Sequence, residues 1–363
     1  MAVVLCFAVL TGCSGSTNTV DIAGLDKTIK IAVLKNSGSQ QSYFEKGIER
    51  AYNDVIEEYK DSSFKIECEF YDNNETYETV DAITEELAAD RHLTAIIGSD
   101  AAAISENQLY ITEKNGKILI NPGQMNTEKL PSENEMFFYM SYTGFDTGEL
   151  MKKISKTLPD MNWAVCAASD SISRDEMTVF ITADSTNVVD YCSIEELSVY
   201  FDRVVERWKN LDVQGVILLP NYDEGFELLY RLKEKMPDIY VITDSDMDSQ
   251  KEYNEHKQFF NNLYIADNFA VDKSDDAYTT YTEENGKFED TWETHGYNTF
   301  RMIVDTAVQN DTASSVKIAG IIRAEGYKGK GENFVFSKNG VLIPKEYTYI
   351  EMGSLKEYKL PAK

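Results

Sequence analysis

The chain has 363 residues, with 62 acidic against 35 basic side chains and a net charge of −27. Such a surface repels nucleic-acid phosphates and anionic lipid headgroups, so no nucleic-acid partner is expected, and the acidity itself reads as solubility. A hydrophobic content of 42% excludes a disordered chain, and the length exceeds one ordinary core, so two domains are expected.

Residues 1–13 open with an apolar run, Ala2–Leu10, too short to span a bilayer but suited to a signal-peptide core. The run ends in Leu10-Thr11-Gly12-Cys13, where Cys13 would carry a lipid. No Lys or Arg precedes the run, which departs from the usual export signal. Residues 14–26 read as a flexible polar tether. No later stretch has 18 apolar residues, so lipid is the only membrane anchor expected.

Apolar runs and amphipathic stretches then alternate. Thr28–Leu34 reads as a buried strand, Tyr43–Lys60 as a helix, Phe64–Tyr71 as a strand and Glu78–Asp90 as a helix. Leu93–Ile97 is a strand broken by Gly98-Ser99-Asp100, and Lys117–Ile120 is a strand ending in Asn121-Pro122-Gly123. After Met136–Ser141 the pattern restarts with strands at Asn162–Ala167, Val188–Ser193, Gly215–Leu219, Tyr240–Thr243 and Leu263–Ala266. Helical stretches separate most of them. Asp275–Thr282 and the long, amphipathic Thr291–Gln309 read as helices and Val316–Arg323 as a short one, and Glu332–Phe336 and Glu346–Glu351 read as closing strands around Lys338-Asn339-Gly340. This is βαβαβ written twice, an α/β chain with two doubly wound parallel-sheet lobes. Lobe one is expected to span 27–142 plus 268–330, and lobe two 143–267 plus 331–363.

Ligands of such sheets sit beyond the carboxyl ends of the strands. The candidate ligand-binding residues there are Ser99, Asp100, Ala102, Gly123 and Gln124 in lobe one, with Tyr43 at the first loop. In lobe two they are Asp170, Ser171, Asn221, Tyr222, Asp244 and Asp246. Several of these residue types are equally at home in helix caps and turns. The acidic set, which includes Asp223, disfavours a ligand dicarboxylate and favours an ammonium or amide. The three histidines lie outside any hydrolase or metalloprotease motif, no P-loop or dinucleotide fingerprint occurs, and Asp244–Asp248 lacks the Gly and distal Glu of a calcium loop. No enzyme, cofactor or metal is therefore expected. Cys68, Cys166 and Cys192 show no metal-ligand spacing, and Cys68 and Cys166 read as buried apolar residues.

The residues Ile29–Leu34 (IKIAVL), Gly47-Ile48-Glu49-Arg50-Ala51, Ala95–Ser99 (AIIGS) and Ile118–Gly123 (ILINPG) occur in order. They are followed by Gly144-Phe145-Asp146, Val213–Glu224, His295–Val308 and Phe334–Gly340. This series resembles the type 1 periplasmic binding proteins, and within them the leucine/isoleucine/valine-type lipoproteins that serve ABC importers. Leu10–Cys13 resembles the lipobox of bacterial lipoproteins. The resemblance implies a clamp with a three-stranded hinge, crossing near Tyr142-Gly144, Asp267-Asn268 and Lys330-Asn333. It implies a monomeric, extracytoplasmic, lipid-anchored binder that delivers a small ligand to a permease and ATPase complex. The same fold also serves sensors that signal to a membrane receptor or kinase without transport. Family members that bind amino acids hold the carboxylate with a Ser or Thr after the AIIGS stretch. Here Asp100-Ala101-Ala102-Ala103 stands there, which points away from a standard branched-chain amino acid. The ligand ammonium would meet Asp246, or Asp244.

Overall fold

A computed structural model describes residues 27–35, 42–73, 76–98, 104–182, 187–220 and 222–362. The first lobe alternates β1 (Thr28–Lys35), α1 (Tyr43–Glu58), β2 (Lys65–Asp72), α2 (Tyr77–Ala89), β3 (Leu93–Ile97), α3 (Glu106–Lys114), β4 (Ile118–Asn121) and β5 (Phe137–Tyr139). The second begins with α4 (Gly144–Ser155), β6 (Asn162–Ala167), α5 (Ser171–Ile181), β7 (Asn187–Ser193), α6 (Ile194–Val199) and α7 (Phe201–Asn210). It continues through β8 (Val213–Leu219), α8 (Tyr222–Lys235), β9 (Tyr240–Asp244), α9 (Gln250–His256) and β10 (Leu263–Ala266). The chain then runs through α10 (Asp276–Asn285), α11 (Thr291–Gln309), α12 (Ser315–Glu325), the short strands β11 (Tyr327–Lys328) and β12 (Asn333–Phe334), and the hairpin β13 (Glu346–Glu351) and β14 (Lys356–Pro361).

Five parallel strands form the first sheet in the order β2-β1-β3-β4-β5, and seven form the second in the order β14-β13-β10-β9-β8-β6-β7. Strands β6–β10 are mutually parallel, and β13 and β14 add antiparallel at one edge. The two parallel sets have the same order. Each reverses its winding direction once, between β1 and β3 and between β6 and β8. In such sheets the ligand crevice opens at this reversal. Ala95–Ile97 and Val216–Leu219 lie in different sheets.

The strands form where apolar residues run unbroken, because both faces of each sheet are covered. Ile29, Ile31 and Val33 join one core and Ala32 and Leu34 another, the alternation of a pleated strand. Helices start on side-chain caps: Ser42, Ser105, Thr143 and Asp170 each accept from the backbone three residues on.

The last third of the chain returns to lobe one through a contact between α1 and α11. A Cβ at Gly47 would stand 2.0 Å from the Glu293 carbonyl oxygen, and one at Gly296 would stand 2.1 Å from the Phe44 carbonyl oxygen. Each glycine therefore lets the backbone of the other helix into the space a side chain would fill. Arg50 adds polar ties to Tyr281 Oη, the carbonyls of Asn285 and Gly286, and Glu293.

Three crossings join the lobes and bond to one another. Tyr142 N–H donates to the Asn268 carbonyl at 2.7 Å, and Asp267 N–H to the Thr348 carbonyl at 3.2 Å. Tyr142 Oη donates to the Glu346 carbonyl at 2.9 Å. The third crossing lies near 343–346, beyond the expected Lys330-Asn333. Residues 331–342, assigned from the sequence to lobe two, stay with lobe one. Phe334, Phe336 and Leu342 are buried in a core shared with β4 and β5, and Val341 bridges to Tyr139. The expected pairing of Glu332–Phe336 with Glu346–Glu351 is also replaced. The turn at Gly340 folds Leu342 back on Phe336, whereas β13 pairs with β10 and with β14, a strand the periodicity missed. Cys166 and Cys192 are buried and Cys68 is only partly so. Among the described residues no helix is long and apolar enough to cross a membrane.

Replacing Gly47 or Gly296 by Ala forces apart two backbones that already touch. Each substitution should lower stability by about 1–3 kcal/mol. Because both act on one contact, the double mutant should lose less than the sum. Urea unfolding of the three variants measures this, and full additivity would show that the two glycines do not share a contact.

Candidate functional site

The candidate site is the cleft between the carboxyl ends of the two parallel sets. On the lobe-one side β3 is tied to β4 by Gly98 N–H donating to the Ile120 carbonyl at 2.8 Å. Ser99, Asp100 and Ala102, expected in the next loop, lie outside the described residues. After β4, Gly123 is buried in the turn, and Gln124 is half-buried and donates from Nε2 to Asn268 Oδ1 at 2.7 Å. That bond joins the lobe-one loop to the second crossing. A second bond spans the lobes, from Thr127 Oγ1 to Asp175 Oδ2 on α5 at 2.5 Å. Tyr43 opens α1 with 43% exposure, and the Lys46 ammonium stands 4.5 Å from its ring centre. The Tyr43 ring is therefore already engaged by a cation of its own helix.

The lobe-two wall is built from carboxyls. Asp170 caps α5: one oxygen accepts from Ser173 N–H at 2.9 Å and the other from Ser173 Oγ at 2.7 Å. Ser171 is the first residue of that helix and is half-buried. Asp244 ends β9, is 5% exposed, and accepts from Asp246 N–H at 3.0 Å. Asp246 lies in the following turn, open to solvent. Asn221 and the side chains of Tyr222 and Asp223 lie outside the described residues, although Tyr222 starts α8.

Behind this wall stands a group the sequence reading missed. Glu176 on α5 is fully buried, and neither carboxyl oxygen has a hydrogen-bond partner among the described residues. Its place follows from two packing facts. The inward face of α5 carries Ser173, Glu176 and Phe180, and Phe180 packs edge-on against Trp163 of β6. Gly144 and Gly148 let α4 close on this face. A Cβ at Gly144 would stand 3.6 Å from Glu176 Cγ, and one at Gly148 would stand 2.7 Å from the Glu176 carbonyl oxygen. In β9, Ile242 faces the core under α4 and α5, and the alternation of the strand turns Asp244 to the same side. The signal in the sequence was a carboxylate at an inward position of an amphipathic helix, where an apolar residue is expected.

Burial, and then the charges of Asp244, Asp246, Asp170 and Asp175, hold the Glu176 carboxyl well above its ordinary range. Burial and then Asp246 push Asp244 the same way, against the backbone hydrogen bond it accepts from Asp246. Among the described residues no Lys, Arg or His forms an ion pair with Asp170, Asp175, Glu176, Asp244 or Asp246. Nor do three or more His, Cys, Asp or Glu side chains converge in a way that could hold a metal. The wall carries negative charge at the surface without an ion-pair partner among the described residues, and beneath it lie carboxyls that burial holds well above their ordinary range.

Two cavities are described near the crossings. One of about 30 Å³ opens between the lobes beside Asp248, Asp267, Asn268, Asp290 and Trp292. Another of about 360 Å³ lies at the hinge, lined by Tyr142, Phe269, Phe334, Lys345 and Thr348 from all three crossings, away from the carboxyl wall.

A sequence-family model described as periplasmic binding protein matches residues 28–190. No curated protein matches the sequence. Among solved structures, an ABC transporter substrate-binding protein from Desulfitobacterium hafniense is similar at a TM-score of 0.78 and 16% identity, covering 92% of this chain and 100% of its own. The branched-chain amino acid substrate-binding protein LivJ of Streptococcus pneumoniae, solved with isoleucine, is similar at 0.75 and 12%, with coverage of 92% and 100%. A solute-binding protein of an ABC transporter from R. palustris, solved with benzoate, is similar at 0.68 and 13%, with coverage of 92% and 95%. The chain thus has the type 1 periplasmic binding protein fold, two α/β lobes of parallel sheet.

A buried carboxyl whose pKa is raised on folding adds stability below its unfolded pKa and loses it as pH rises through the folded value. Glu176→Gln keeps the shape and removes the titration. The ligand-free variant should therefore melt higher than wild type at about pH 8, with the gain shrinking towards about pH 5. Thermal denaturation across that range checks it; a variant less stable at every pH would show that ionised Glu176 has a favourable partner.

Proposed function

We propose that this protein is an extracytoplasmic solute-binding lipoprotein that traps a small polar ligand between its lobes and delivers it to an ABC permease and ATPase complex. One observation carries the reading. Two sheets of the same strand order present their carboxyl ends to one cleft, and mutually bonded crossings form the hinge between them. Such an architecture closes by rotation about the crossings, and a ligand touching both walls favours the closed form. The family match and the structural neighbours support a binding role rather than catalysis.

The ligand is an amino acid, amide or related compound with a nitrogen donor facing Asp246. Ser99, Asp100, Ala102, Gly123 and Gln124 form the lobe-one contact, with Tyr43 at the rim. Asp170, Ser171, Asn221, Tyr222 and Asp244 complete lobe two. Asp170 and Tyr43 serve from engaged positions, as a helix cap and as a cation-covered ring. Lobe one comprises 27–142 and the segment from 268 to the third crossing, and lobe two the remainder. The protein acts as a monomer held to the membrane by lipid on Cys13, which lies outside the described residues together with the tether.

Native mass spectrometry of the freshly purified full chain should show a retained small molecule. Small-angle scattering should then give a larger radius of gyration once that molecule is dialysed away. An unchanged radius would exclude a clamp.

Cys13→Ala should move the protein from the membrane to the soluble fraction. A variant that stays membrane-bound through a high-salt wash would place the anchor elsewhere.

A further inference from the structure

Glu176 is fully buried, and among the described residues neither of its carboxyl oxygens has a partner. Burying a carboxyl without a partner is unfavourable, and a structure retains one when something absent from the unliganded fold offsets it. The neighbours of Glu176 do not relieve it. The titratable groups that act on it most are Asp244 and Asp246, from the end of β9 and the next turn, and Asp170 and Asp175, the cap of its own helix and a residue within it. From α4, Gly144 and Gly148 pack against it, and the Tyr139 hydroxyl, which Glu176 influences, is itself buried. All of these are acids or neutral groups, and no metal site converges here among the described residues.

The carboxyls are arranged in depth. Asp170 and Asp246 are open to the cleft, Asp244 is buried behind Asp246, and Glu176 is enclosed between α4 and α5. Opposite, residues 123–127 of lobe one, brought across by the Thr127–Asp175 and Gln124–Asn268 bonds, carry amides and a hydroxyl but no charged side chain. A positive charge seated at Asp246 acts on every carboxyl in this stack with the same sign. A zwitterion brings its own carboxylate into the same field, with no charged side chain among residues 123–127 to receive it.

We propose that the cleft selects ligands of net positive charge, amines or diamines without a carboxylate of their own, and that Glu176 is the buried specificity-determining group behind that preference. This rests on the solute-binding reading and narrows its ligand class. Glu176 acts through Asp244 and Asp246 and does not touch the ligand. Cation binding favours the ionised form of the stack, so protons leave the protein as the ligand binds.

Calorimetric titration of the full chain near neutral pH with three probes tests this: L-leucine as zwitterion, L-leucinamide as monocation and 1,5-diaminopentane as dication. Wild type should bind the diamine at least about tenfold more tightly than leucine, with leucinamide between them. Asp246→Ala should weaken both amines by about tenfold or more. Glu176→Gln should shrink the spread between diamine and leucine to about threefold or less. Titrations in two buffers of different ionisation enthalpy should show proton release with the diamine, reduced in Glu176→Gln. A packing role alone would leave both the selectivity and the proton count unchanged. Leucine binding as tightly as either amine, neither amine binding, or an unchanged spread in Glu176→Gln would each overturn the inference. Leucine binding with closure of the lobes would leave solute capture standing while removing the cationic preference. Failure of every small molecule to close the lobes would remove solute capture itself.

Discussion

The reciprocal glycine contact between α1 and α11 sets the topology of the whole molecule. Gly47 and Gly296 are 249 positions apart by their numbering, yet each occupies space that only hydrogen can fill against the other helix. Once α11 docks there, the chain that left lobe one at Tyr142 must have returned to it by Asn268. The polar ties around α11 make the return specific. His295 shares a 2.7 Å hydrogen bond with Glu332, Asn298 donates to the same carboxylate at 2.8 Å, and Phe269 stacks on the imidazole at 4.1 Å. These residues come from α11, the segment before the third crossing and the second crossing. The hinge is thus anchored on lobe one by packing, and hydrogen bonds join its crossings to one another.

Beside that half, the second lobe concentrates its polar difficulty at one place. Its parallel strands end in an acidic wall, and the helices that should bury apolar side chains beneath it enclose a carboxyl. The α4–α5 interface is narrow because Gly144 and Gly148 stand on it, so water has little room to enter behind Asp244. Binding surfaces commonly carry such local violations of packing rules while the surrounding scaffold obeys them.

Much of this was legible in the sequence, for identifiable reasons. Strands such as Ile29–Leu34 and Val213–Leu219 are continuous apolar runs because both faces of their sheets are covered. Asp244 and Asp246 could be picked out because β9 ends there, and crevices form at strand ends. The same reason singles out Asp170, and the structure employs it on Ser173 as a helix cap. The third crossing was misplaced because the Lys338-Asn339-Gly340 turn suggests a hairpin between its flanking strands. The turn is real, but Phe334, Phe336 and Leu342 bury against β4 and β5, a tertiary choice that periodicity does not report. Glu176 was passed over because a single acidic residue on a helix is ordinarily a solvated one. Only the position of Gly144 and Asp244 in space shows that it faces inward.

The placement of the third crossing has a consequence for synthesis from the ribosome. Lobe one lacks α11, α12 and the 337–342 turn against β5 until nearly the whole chain has emerged, and Arg323 must arrive to bond the carbonyls of Asn134, Glu135 and Phe137. The parallel strands of lobe two, β6 to β10, emerge as one uninterrupted stretch. All their parallel pairings lie within that stretch, so this lobe can assemble as a unit before the later chain is made. The first half made is therefore the last half finished, and through that interval the exposed edge of β5 and the uncovered face of α1 are the surfaces most open to misassembly.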